Sequence, residues 1–325
     1  MRSRILYIGN KLAQKGNTVT SIETLGLLLE KEGCTLYYAS SKEHKGLRLL
    51  DMLFKTFQYR NKVDYVFIDT YSTLNFWYAF FVSQLCRILK IKYFSKLHGG
   101  DLPNRLQRNP ILCKMIFNNA QINIAPSGYL LEAFQKQGYD KLLYIPNTIE
   151  IENYLFKTRN EREPKILWVR SLCAIYNPEM ALKVFYELKK DFPKAELCMV
   201  GPDKDNILSK LEAMAQSLDL KVTFTGKMKK AAWVELSKKY TIFINTTHFD
   251  NTPVSVMEAM ALGLPVVSTN VGGIPYLLED GKTALLVNDN DVDAMVESVK
   301  KLTTDAEFKN QMVQNALAMV KEFDW

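Results

Sequence analysis

The sequence lacks any arrangement of cysteines that would indicate a disulfide framework or a structural zinc site. Its five cysteines lie far apart, with no CxxC pair and no Cys/His ligand spacing. Export is not indicated either, because the basic start MRSRILYIGN continues into only a short apolar run, which is typical of a first strand rather than a signal peptide. These absences favour a protein of the reducing cytosol.

Long apolar runs, nucleic-acid motifs and dinucleotide fingerprints are missing as well. The best membrane candidate, YSTLNFWYAFFVSQLC at residues 71–86, is short and contains Ser, Asn and Gln, so a buried helix is the prediction. No basic stretch with interleaved aromatic residues occurs, which excludes nucleic acid as the expected partner. The segment YIGNKLAQKG, residues 7–16, lacks the GxGxxG spacing of nicotinamide oxidoreductases.

The charge that is present is distributed unevenly. Residues 1–150 contain 20 Lys and Arg against 11 Asp and Glu, whereas residues 151–325 contain 22 against 24. Between Asp69 and Glu132 a single acid, Asp101, lies among seven basic residues: Arg87, Lys90, Lys92, Lys96, Arg105, Arg108 and Lys114. This cluster predicts peripheral contact with an anionic membrane surface, at its cytoplasmic face, and a solvated helix face is the alternative.

Strand-like and helix-like segments alternate along the 325 residues. Helical segments such as SIETLGLLLEKEG, with Ser21 as its expected cap, separate short β-rich runs at residues 4–9, 35–41, 64–70, 92–99, 121–127 and 142–147. After a polar stretch at 148–164, interpreted as a linker, further runs follow at 165–171, 195–201, 222–226, 241–247, 265–269 and 284–287. The pattern predicts an α/β fold of two doubly wound, Rossmann-like domains, residues 1–150 and 151–325, facing across a cleft.

One stretch of the second domain indicates what this cleft binds. The loop HFDNTP follows the strand TIFINTT, and the helix PVSVMEAMALG begins after it, with Pro253 in its first turn. A helix start at the carboxyl end of a strand directs free N–H groups towards an anion. Two carboxylates, Asp250 and Glu258, could accept hydrogen bonds from sugar or ribose hydroxyls. Together these features predict a sugar nucleotide as the ligand.

The same residues carry a family resemblance. The run from Asp250 to Pro275 resembles the signature of family 4 (group 1) retaining glycosyltransferases of the GT-B fold, whose mark is two Glu separated by seven residues. LHGGD, APSGYLLEAF, IPNTIE, WVRSL, VGPD and FTG follow the family's order. The resemblance implies transfer of a sugar from a nucleoside diphosphate to an acceptor hydroxyl, with retention of configuration and without metal or other cofactor. It also implies a carbohydrate or lipid-linked acceptor, in cell-surface polysaccharide or glycolipid synthesis.

The resemblance assigns roles in donor binding. Glu258 would bind the ribose, Asp250 would lie beside the reacting sugar, and Arg170 would clamp the diphosphate. The family's second cation is missing, because Tyr176 and Asn177 stand where a Lys is usual, and Lys227 is the candidate substitute. The backbone of the helix start would hold the diphosphate and sugar, and the loop after FTG would hold a base, uracil or guanine. These two segments comprise Asn251, Thr252, Pro253, Val254 and Ser255, and Gly226 with Lys227.

In the first domain the resemblance places His98 beside the transferring sugar, so His98 and Asp250 are the expected catalytic residues. Gly16 matches the glycine of the family's loop near the donor diphosphate. Asn17, Asp101 and Arg105 are the expected acceptor contacts, with pairing to a nearby Arg as the alternative for Asp101. His44 and His248 are expected to be structural. In the family a Phe-x-Trp like that of residues 323–325 leads into a last helix that crosses back onto the first domain, whereas this sequence stops at Trp325. Either the sequence is truncated or that brace is absent, and a looser domain orientation is the expectation.

Other functions remain compatible with this architecture. A GT-B epimerase or phosphorylase would share the fold. A catalytically silent sugar-nucleotide-binding module is the non-enzymatic alternative, and the shorter Asp250 and the absent Lys motivate it. Nucleotide release from a labelled donor distinguishes the enzyme from the silent module.

Overall fold

The structure is a computed structural model that describes residues 3–15 and 19–325. The chain divides into two compact units, residues 1–146 and 147–325, which we name the first and the second unit. Each unit is built on a parallel sheet with helices packed on it. The predicted α/β class and the two doubly wound sheets are therefore confirmed.

The described part of the first unit contains a six-stranded sheet in the order β2-β1-β3-β4-β5-β6. Its strands are β1 (Arg4–Ile8), β2 (Thr35–Ala39), β3 (Tyr65–Tyr71), β4 (Tyr93–His98), β5 (Asn123–Ala125) and β6 (Leu142–Tyr144). Its helices are α1 (Ser21–Lys31), α2 (Lys45–Tyr59), α3 (Phe76–Ile88), α4 (Leu102–Arg108), α5 (Pro110–Phe117) and α6 (Gly128–Lys136), and a 3₁₀ turn spans Ala13–Lys15.

The second unit repeats this construction with the strand order β12-β11-β10-β7-β8-β9. Its strands are β7 (Lys165–Val169), β8 (Glu196–Val200), β9 (Val222–Gly226), β10 (Ile242–Asn245), β11 (Val266–Thr269) and β12 (Leu285–Val287). Its helices are α7 (Pro178–Asp191), α8 (Leu208–Ser217), α9 (Lys230–Ser237), α10 (Val254–Ala261), α11 (Ile274–Leu277), α12 (Val292–Thr304) and α13 (Ala306–Lys321), with 3₁₀ turns at Ile151–Asn153 and Ala174–Tyr176.

Side-chain caps and apolar faces fix these elements. Asn177, Asp291 and Asp305 each accept a hydrogen bond from a backbone N–H in the first turn of the helix that they precede. The strands of the second unit are apolar on both faces, because helices cover both sides of a parallel sheet. The chain direction across the sheet reverses between β7 and β10, and in the first unit between β1 and β3. These reversals are the points where open α/β sheets bind ligands.

Three local predictions differ from the structure. The cap of α1 is Thr20, which forms a capping box with Glu23, and the hydroxyl of Ser21 contacts Tyr7 and Lys96 instead. Pro253 precedes α10 as its N-cap rather than lying within the first turn. The stretch 148–164 is not a loose linker, because Arg159 is buried and donates hydrogen bonds to the carbonyls of Tyr240 and Leu262.

Candidate functional site

The carboxyl ends of β7 and β10 bring the predicted Arg170 and Asp250 together. A guanidinium nitrogen of Arg170 lies 2.5 Å from Oδ2 of Asp250, and both side chains are largely buried. Oδ1 of Asp250 accepts a hydrogen bond of 2.7 Å from the backbone N–H of Asn251. The pair therefore places a planar cation and a carboxylate at the reversal point of the second sheet.

Close backbone packing holds Arg170 in this position. Its guanidinium lies 4.8 Å from the ring centroid of Tyr176, in a cation–π contact. A Cβ atom on Gly201 would lie 1.7 Å from the carbonyl oxygen of Arg170, so only glycine fits there. The glycine of the motif VGPD therefore allows β8 to approach the end of β7.

The glycine pair of the signature run 250–275, Gly272 and Gly273, supports the loop that carries Asp250. The N–H of Gly273 donates a 2.8 Å hydrogen bond to the carbonyl of Asp250. A Cβ on Gly273 would lie 1.8 Å from the carbonyl oxygen of Asn251, and one on Gly272 would lie 2.4 Å from that of Asp250. A side chain at either position would collide with the backbone of the loop, so both positions require glycine. The pair therefore packs directly against the loop and supports it.

The start of α10 has the features of an anion-binding site. No side chain caps the helix, so its first N–H groups lack the partners that a capping side chain supplies. Ser255, in the first turn, is buried and its Oγ has no hydrogen-bond partner among the described atoms. A buried hydroxyl without a partner costs free energy unless a ligand or water satisfies it.

Glu258 lies on the same helix, and two residues that the sequence reading missed hold it. The hydroxyl of Tyr154 donates a 2.7 Å hydrogen bond to Oε1 of Glu258, and Nζ of Lys230 lies 2.6 Å from the same oxygen. Glu258 is 4% exposed. Burial and the nearby Glu258 carboxylate raise the pKa of Tyr154, which keeps its hydroxyl protonated as a donor.

The remaining donor-site predictions lie close to these elements in the chain. Gly226 ends β9 with φ of +67°, a conformation that favours glycine, and Lys227 follows it as an exposed residue. Asn177, where the family usually has a Lys nearby, caps α7 and donates to Asn290. Lys230, on α9, places a cation at the Glu258 carboxylate, and none of the family motifs found in the sequence includes this lysine.

In the first unit, His98 lies at the carboxyl end of β4 against a buried carboxylate. Nε2 of His98 lies 2.8 Å from Oδ1 of Asp69, which also accepts a 3.1 Å hydrogen bond from the hydroxyl of Tyr7. The ring of Tyr71 stacks on the imidazole at 4.7 Å. The side chain of Asp69 is fully buried, and its Oδ2 has no partner among the described atoms.

A half-buried lysine completes this cluster. Nζ of Lys96 donates a 2.6 Å hydrogen bond to Oγ of Ser21, which in turn lies 3.2 Å from the hydroxyl of Tyr7. Burial lowers the pKa of Lys96, and the Asp69 carboxylate acts in the opposite direction. Lys96 therefore does not belong to the exposed basic surface on which the sequence reading placed it.

The expected acceptor contacts have varied positions. Asp101 is exposed and accepts a hydrogen bond from Asn104, while Arg105 donates to the carbonyl of Ser72 and to Asn109, so its guanidinium is engaged within the first unit. Gly16 and Asn17 lie outside the described residues. His44 caps α2, and His248 pairs with Asp289.

Neither a membrane-spanning helix nor a metal-binding cluster occurs among the described residues. No helix among residues 3–15 and 19–325 is both long and apolar enough to cross a membrane, and of the candidate segment 71–86 the residues from 76 onwards lie in α3. No group of three or more His, Cys, Asp and Glu side chains in that part of the chain is arranged to hold a metal ion.

Comparison with known sequences identifies one family model. The model for glycosyl transferases group 1 matches residues 150–319. Similar curated proteins include an uncharacterized glycosyltransferase of Haemophilus influenzae, 28% identical over 55% of this chain and 49% of its own length. A D-inositol 3-phosphate glycosyltransferase of Corynebacterium jeikeium is 26% identical over 50% of this chain and 41% of its own. The chain thus matches about half or less of these relatives' length.

Comparison with solved structures extends the similarity to the whole fold. The Anabaena protein Alr3699/HepE, crystallised with UDP and glucose, superimposes with a TM-score of 0.77 at 17% identity, over 99% of this chain and 96% of that one. Sucrose-phosphate synthase from Thermosynechococcus elongatus gives a TM-score of 0.76 at 14% identity, over 100% and 96%. At these identities the similarity shows the fold.

Proposed function

The chain belongs to the group 1 glycosyl transferases and has their GT-B fold, and on this premise we propose that it transfers a sugar from a nucleoside diphosphate to an acceptor hydroxyl with retention of configuration. The observation that carries the proposal is the second unit's cluster of Arg170, Asp250 and the uncapped start of α10, with the unsatisfied hydroxyl of Ser255. Relatives named for glycosyl transfer, and the UDP-bound Anabaena structure, support it.

Donor binding follows from the charges at this cluster. The diphosphate would accept hydrogen bonds from the first N–H groups of α10 and from Ser255, and it would share the Arg170 guanidinium with Asp250. Glu258 would accept hydrogen bonds from the ribose hydroxyls. Because Lys230 and Tyr154 already hold one oxygen of Glu258, the ribose would bind to its other oxygen or displace Lys230.

The chemical step requires stabilisation of the departing nucleoside diphosphate. We propose that Arg170 and the dipole of α10 supply it, with Lys227 as the further cation. Asp250 and, in the first unit, His98 would contact the transferring sugar. The bond between the anomeric carbon and the phosphate oxygen would break as the acceptor oxygen bonds to that carbon from the same face of the sugar. The departing phosphate oxygen would take the proton of the acceptor hydroxyl, so that configuration would be retained without a protein nucleophile.

The acceptor is proposed to be a carbohydrate or lipid-linked hydroxyl compound. Asp101 is exposed in the first unit, and its carboxylate is suited to accept hydrogen bonds from the hydroxyls of this compound. The excess of basic residues in positions 1–150 favours an anionic acceptor, or one presented at an anionic membrane surface, as in cell-surface polysaccharide or glycolipid synthesis.

A turnover assay tests this proposal. A panel of labelled nucleotide sugars is incubated with the protein, with and without extracts containing lipid-linked and soluble acceptors. We expect release of the nucleoside diphosphate from one donor, slowly by hydrolysis without acceptor and faster with it. Arg170→Gln should lose this activity, while Arg162→Gln, at an exposed position, should keep it. Donor binding without release under every condition would instead assign a silent binding module.

A further inference from the structure

Helix α2 presents an apolar stripe to solvent. Leu47, Leu50, Phe54 and Phe57 recur every three or four residues and lie on one side of the helix. Leu50 and Phe54 are 62% and 63% exposed, whereas Arg48 and Thr56, on the opposite side, are buried. The helix therefore has apolar side chains on two sides, because Met52, Leu49 and Leu53 pack on the core as is usual for a surface helix, while the stripe faces solvent.

A second stripe follows on the neighbouring helix. Leu74 precedes α3, and Trp77, Phe81 and Ile88 project from it, all exposed. The helices α2 and α3 pack against each other. Helix α2 connects β2 to β3 and α3 connects β3 to β4, so both crossovers run in the same direction across the sheet. Right-handed crossovers therefore place α2, α3 and α5 on one face of the sheet and α1 on the other. Both stripes therefore lie on the solvent side of neighbouring helices on one face of the sheet, and we name them together the α2–α3 surface.

The helices around this surface have nearly a single sign of charge. Helices α2 to α5 contain one acidic residue, Asp51, which lies 3.7 Å from Lys55. Their seven basic residues are Lys45, Arg48, Lys55, Arg87, Arg105, Arg108 and Lys114. Four of the seven are exposed, namely Lys45, Arg87, Arg108 and Lys114. Arg60, just after α2, lies 4.1 Å from the ring centroid of Phe57, so that a cation borders the apolar stripe directly.

We propose that the α2–α3 surface inserts into the head-group region of an anionic phospholipid bilayer. Leucine, phenylalanine and tryptophan side chains on one surface, bordered by lysine and arginine, are the composition that interfacial helices use to lie in a membrane surface. The basic border selects anionic lipid, and the exposed Leu, Phe and Trp side chains supply the insertion. The inference does not depend on the transferase activity, since it concerns only the described surface of the first unit.

Charge complementarity favours lipid over a second copy of the chain as the occupant. Two copies meeting through this surface would bring their basic borders together with one acidic side chain each, and like charges would oppose the contact. A bilayer rich in phosphate head groups matches both the apolar stripe and its border.

Vesicle binding tests the inference directly. Vesicles of equal parts phosphatidylglycerol and phosphatidylcholine are mixed with the protein without any nucleotide sugar, and co-sedimentation and tryptophan fluorescence are recorded. We expect binding that weakens with added salt, absence of binding to pure phosphatidylcholine, and a blue shift that the Trp77→Phe variant loses. Trp168 and Trp233 are buried and should not respond.

Variants distinguish binding through the α2–α3 surface from nonspecific adsorption to vesicles. L50S/F54S should reduce partitioning at least about tenfold, because both substitutions remove the favourable free energy of transferring an apolar side chain from water into the membrane. Replacing Arg87 and Lys114 with Gln should weaken it about fivefold per residue. The matched control is Leu27→Ser on α1, which is 60% exposed on the other face of the sheet and should bind as the wild type does.

Three results would overturn the inference. One is no binding to anionic vesicles, and another is unchanged binding by L50S/F54S with its circular dichroism intact. The third is a lipid-independent dimer in analytical ultracentrifugation that L50S/F54S abolishes, which would assign the surface to a second copy. Because no donor is present in these assays, their failure leaves the proposed transferase activity unaffected.

Discussion

At the scale of single residues, Asp69 determines how His98 is held. A carboxylate accepts hydrogen bonds and does not donate them when it is ionised, so the contact with Oδ1 of Asp69 favours the form of His98 that carries a hydrogen on Nε2. Tyr7 donates to the same oxygen, and burial together with the Asp69 charge raises the pKa of Tyr7 well above its ordinary value. Asp69 is thus a positioning residue for His98.

We predict that Asp69→Asn removes the fixed tautomer of His98. The amide can donate or accept at Nε2, and the half-buried Lys96 loses the nearby charge of Asp69, so the free energy of unfolding should fall by about 3 kcal/mol. Nitrogen-15 NMR of the imidazole should show the Nε2–H tautomer in the wild type and a mixture in the variant, and denaturant unfolding measures the stability. An Nδ1–H tautomer in the wild type would contradict the assignment.

Glu258 carries the second residue-scale prediction. Glu258→Gln retains the size of the side chain but removes the charge that Lys230 and the Tyr154 hydroxyl contact, so we expect a loss of about 1–3 kcal/mol in unfolding free energy. Affinity for the nucleoside diphosphate should fall as well, because the ribose acceptor is weakened. Glu235→Gln, at an exposed position on α9, is the control. Unchanged donor affinity in Glu258→Gln would remove the ribose assignment.

These residues differ in how visible they are in the sequence. Glu258 and Arg170 belong to motifs of the family resemblance, which marks them as expected donor contacts. Asp69 lies inside an apolar strand run, where only a lone carboxylate near a strand's carboxyl end gives a signal. Tyr154 lies in a stretch that composition assigned to a linker, and Lys230 is one of many lysines. Tertiary contacts alone reveal their roles.

At the scale of elements, the loop between β10 and α10 depends on the glycine pair that supports it. Gly273 has φ of −87°, which any residue can adopt, so a substitution there is opposed by the contact with Asn251 alone. Gly281 is the reverse case, with φ of +71° and open space around its Cβ position.

We therefore predict that Gly273→Ala is the more damaging of two alanine substitutions. Gly281→Ala should cost about 1–2 kcal/mol from backbone strain alone. Gly273→Ala should cost about 3 kcal/mol or more and should also weaken donor binding, because the loop with Asp250 must shift. Urea unfolding and donor titration measure both effects. Equal losses in the two variants, with donor affinity retained, would show that the contact does not position the loop.

Element types were more predictable than element ends. Every one of the twelve strand runs proposed from the sequence overlaps a strand of the described structure. The ends differ by up to a few residues, as at β5 (Asn123–Ala125), because side-chain period indicates a strand while tertiary hydrogen bonds decide where it stops. The apolar stripe of α2 escaped the sequence reading, since periodicity does not show which side of a helix faces the core.

At the scale of the whole molecule, buried thiols link stability to alkaline pH. Burial raises the pKa of Cys113 from its ordinary value of 9.0 to about 11 and that of Cys86 to about 12. A thiol whose pKa is raised by folding stays protonated in the folded state while the unfolded chain ionises. Its contribution to stability is therefore present below pH 9 and is lost as pH rises towards 11.

We predict that the free energy of unfolding falls between pH 9 and 11, and less steeply in Cys113→Ser. The difference in slope should approach about 1.4 kcal/mol per pH unit, the value for one titrating group. Urea unfolding across this pH range measures it. Ile116→Val, in the same core cluster, should lower stability but keep the wild-type slope. An identical slope in Cys113→Ser and wild type would contradict the prediction.

The two-unit α/β architecture was predictable because parallel strands alternate with helices over the whole chain. The central claim of the proposed function is that Arg170 and the start of α10 bind the diphosphate of a nucleotide sugar. The Asp250 carboxylate makes the Arg170 guanidinium necessary for this binding, because without the guanidinium the negative charge of Asp250 would repel the phosphates.

The most direct test is a calorimetric titration of nucleoside diphosphates into wild-type protein, Arg170→Gln and the surface control Arg162→Gln. We predict that the wild type and Arg162→Gln bind one nucleoside diphosphate equally well and that Arg170→Gln binds it at least about tenfold more weakly. Absence of binding to every nucleoside diphosphate, or equal affinity in Arg170→Gln and wild type, would contradict the account.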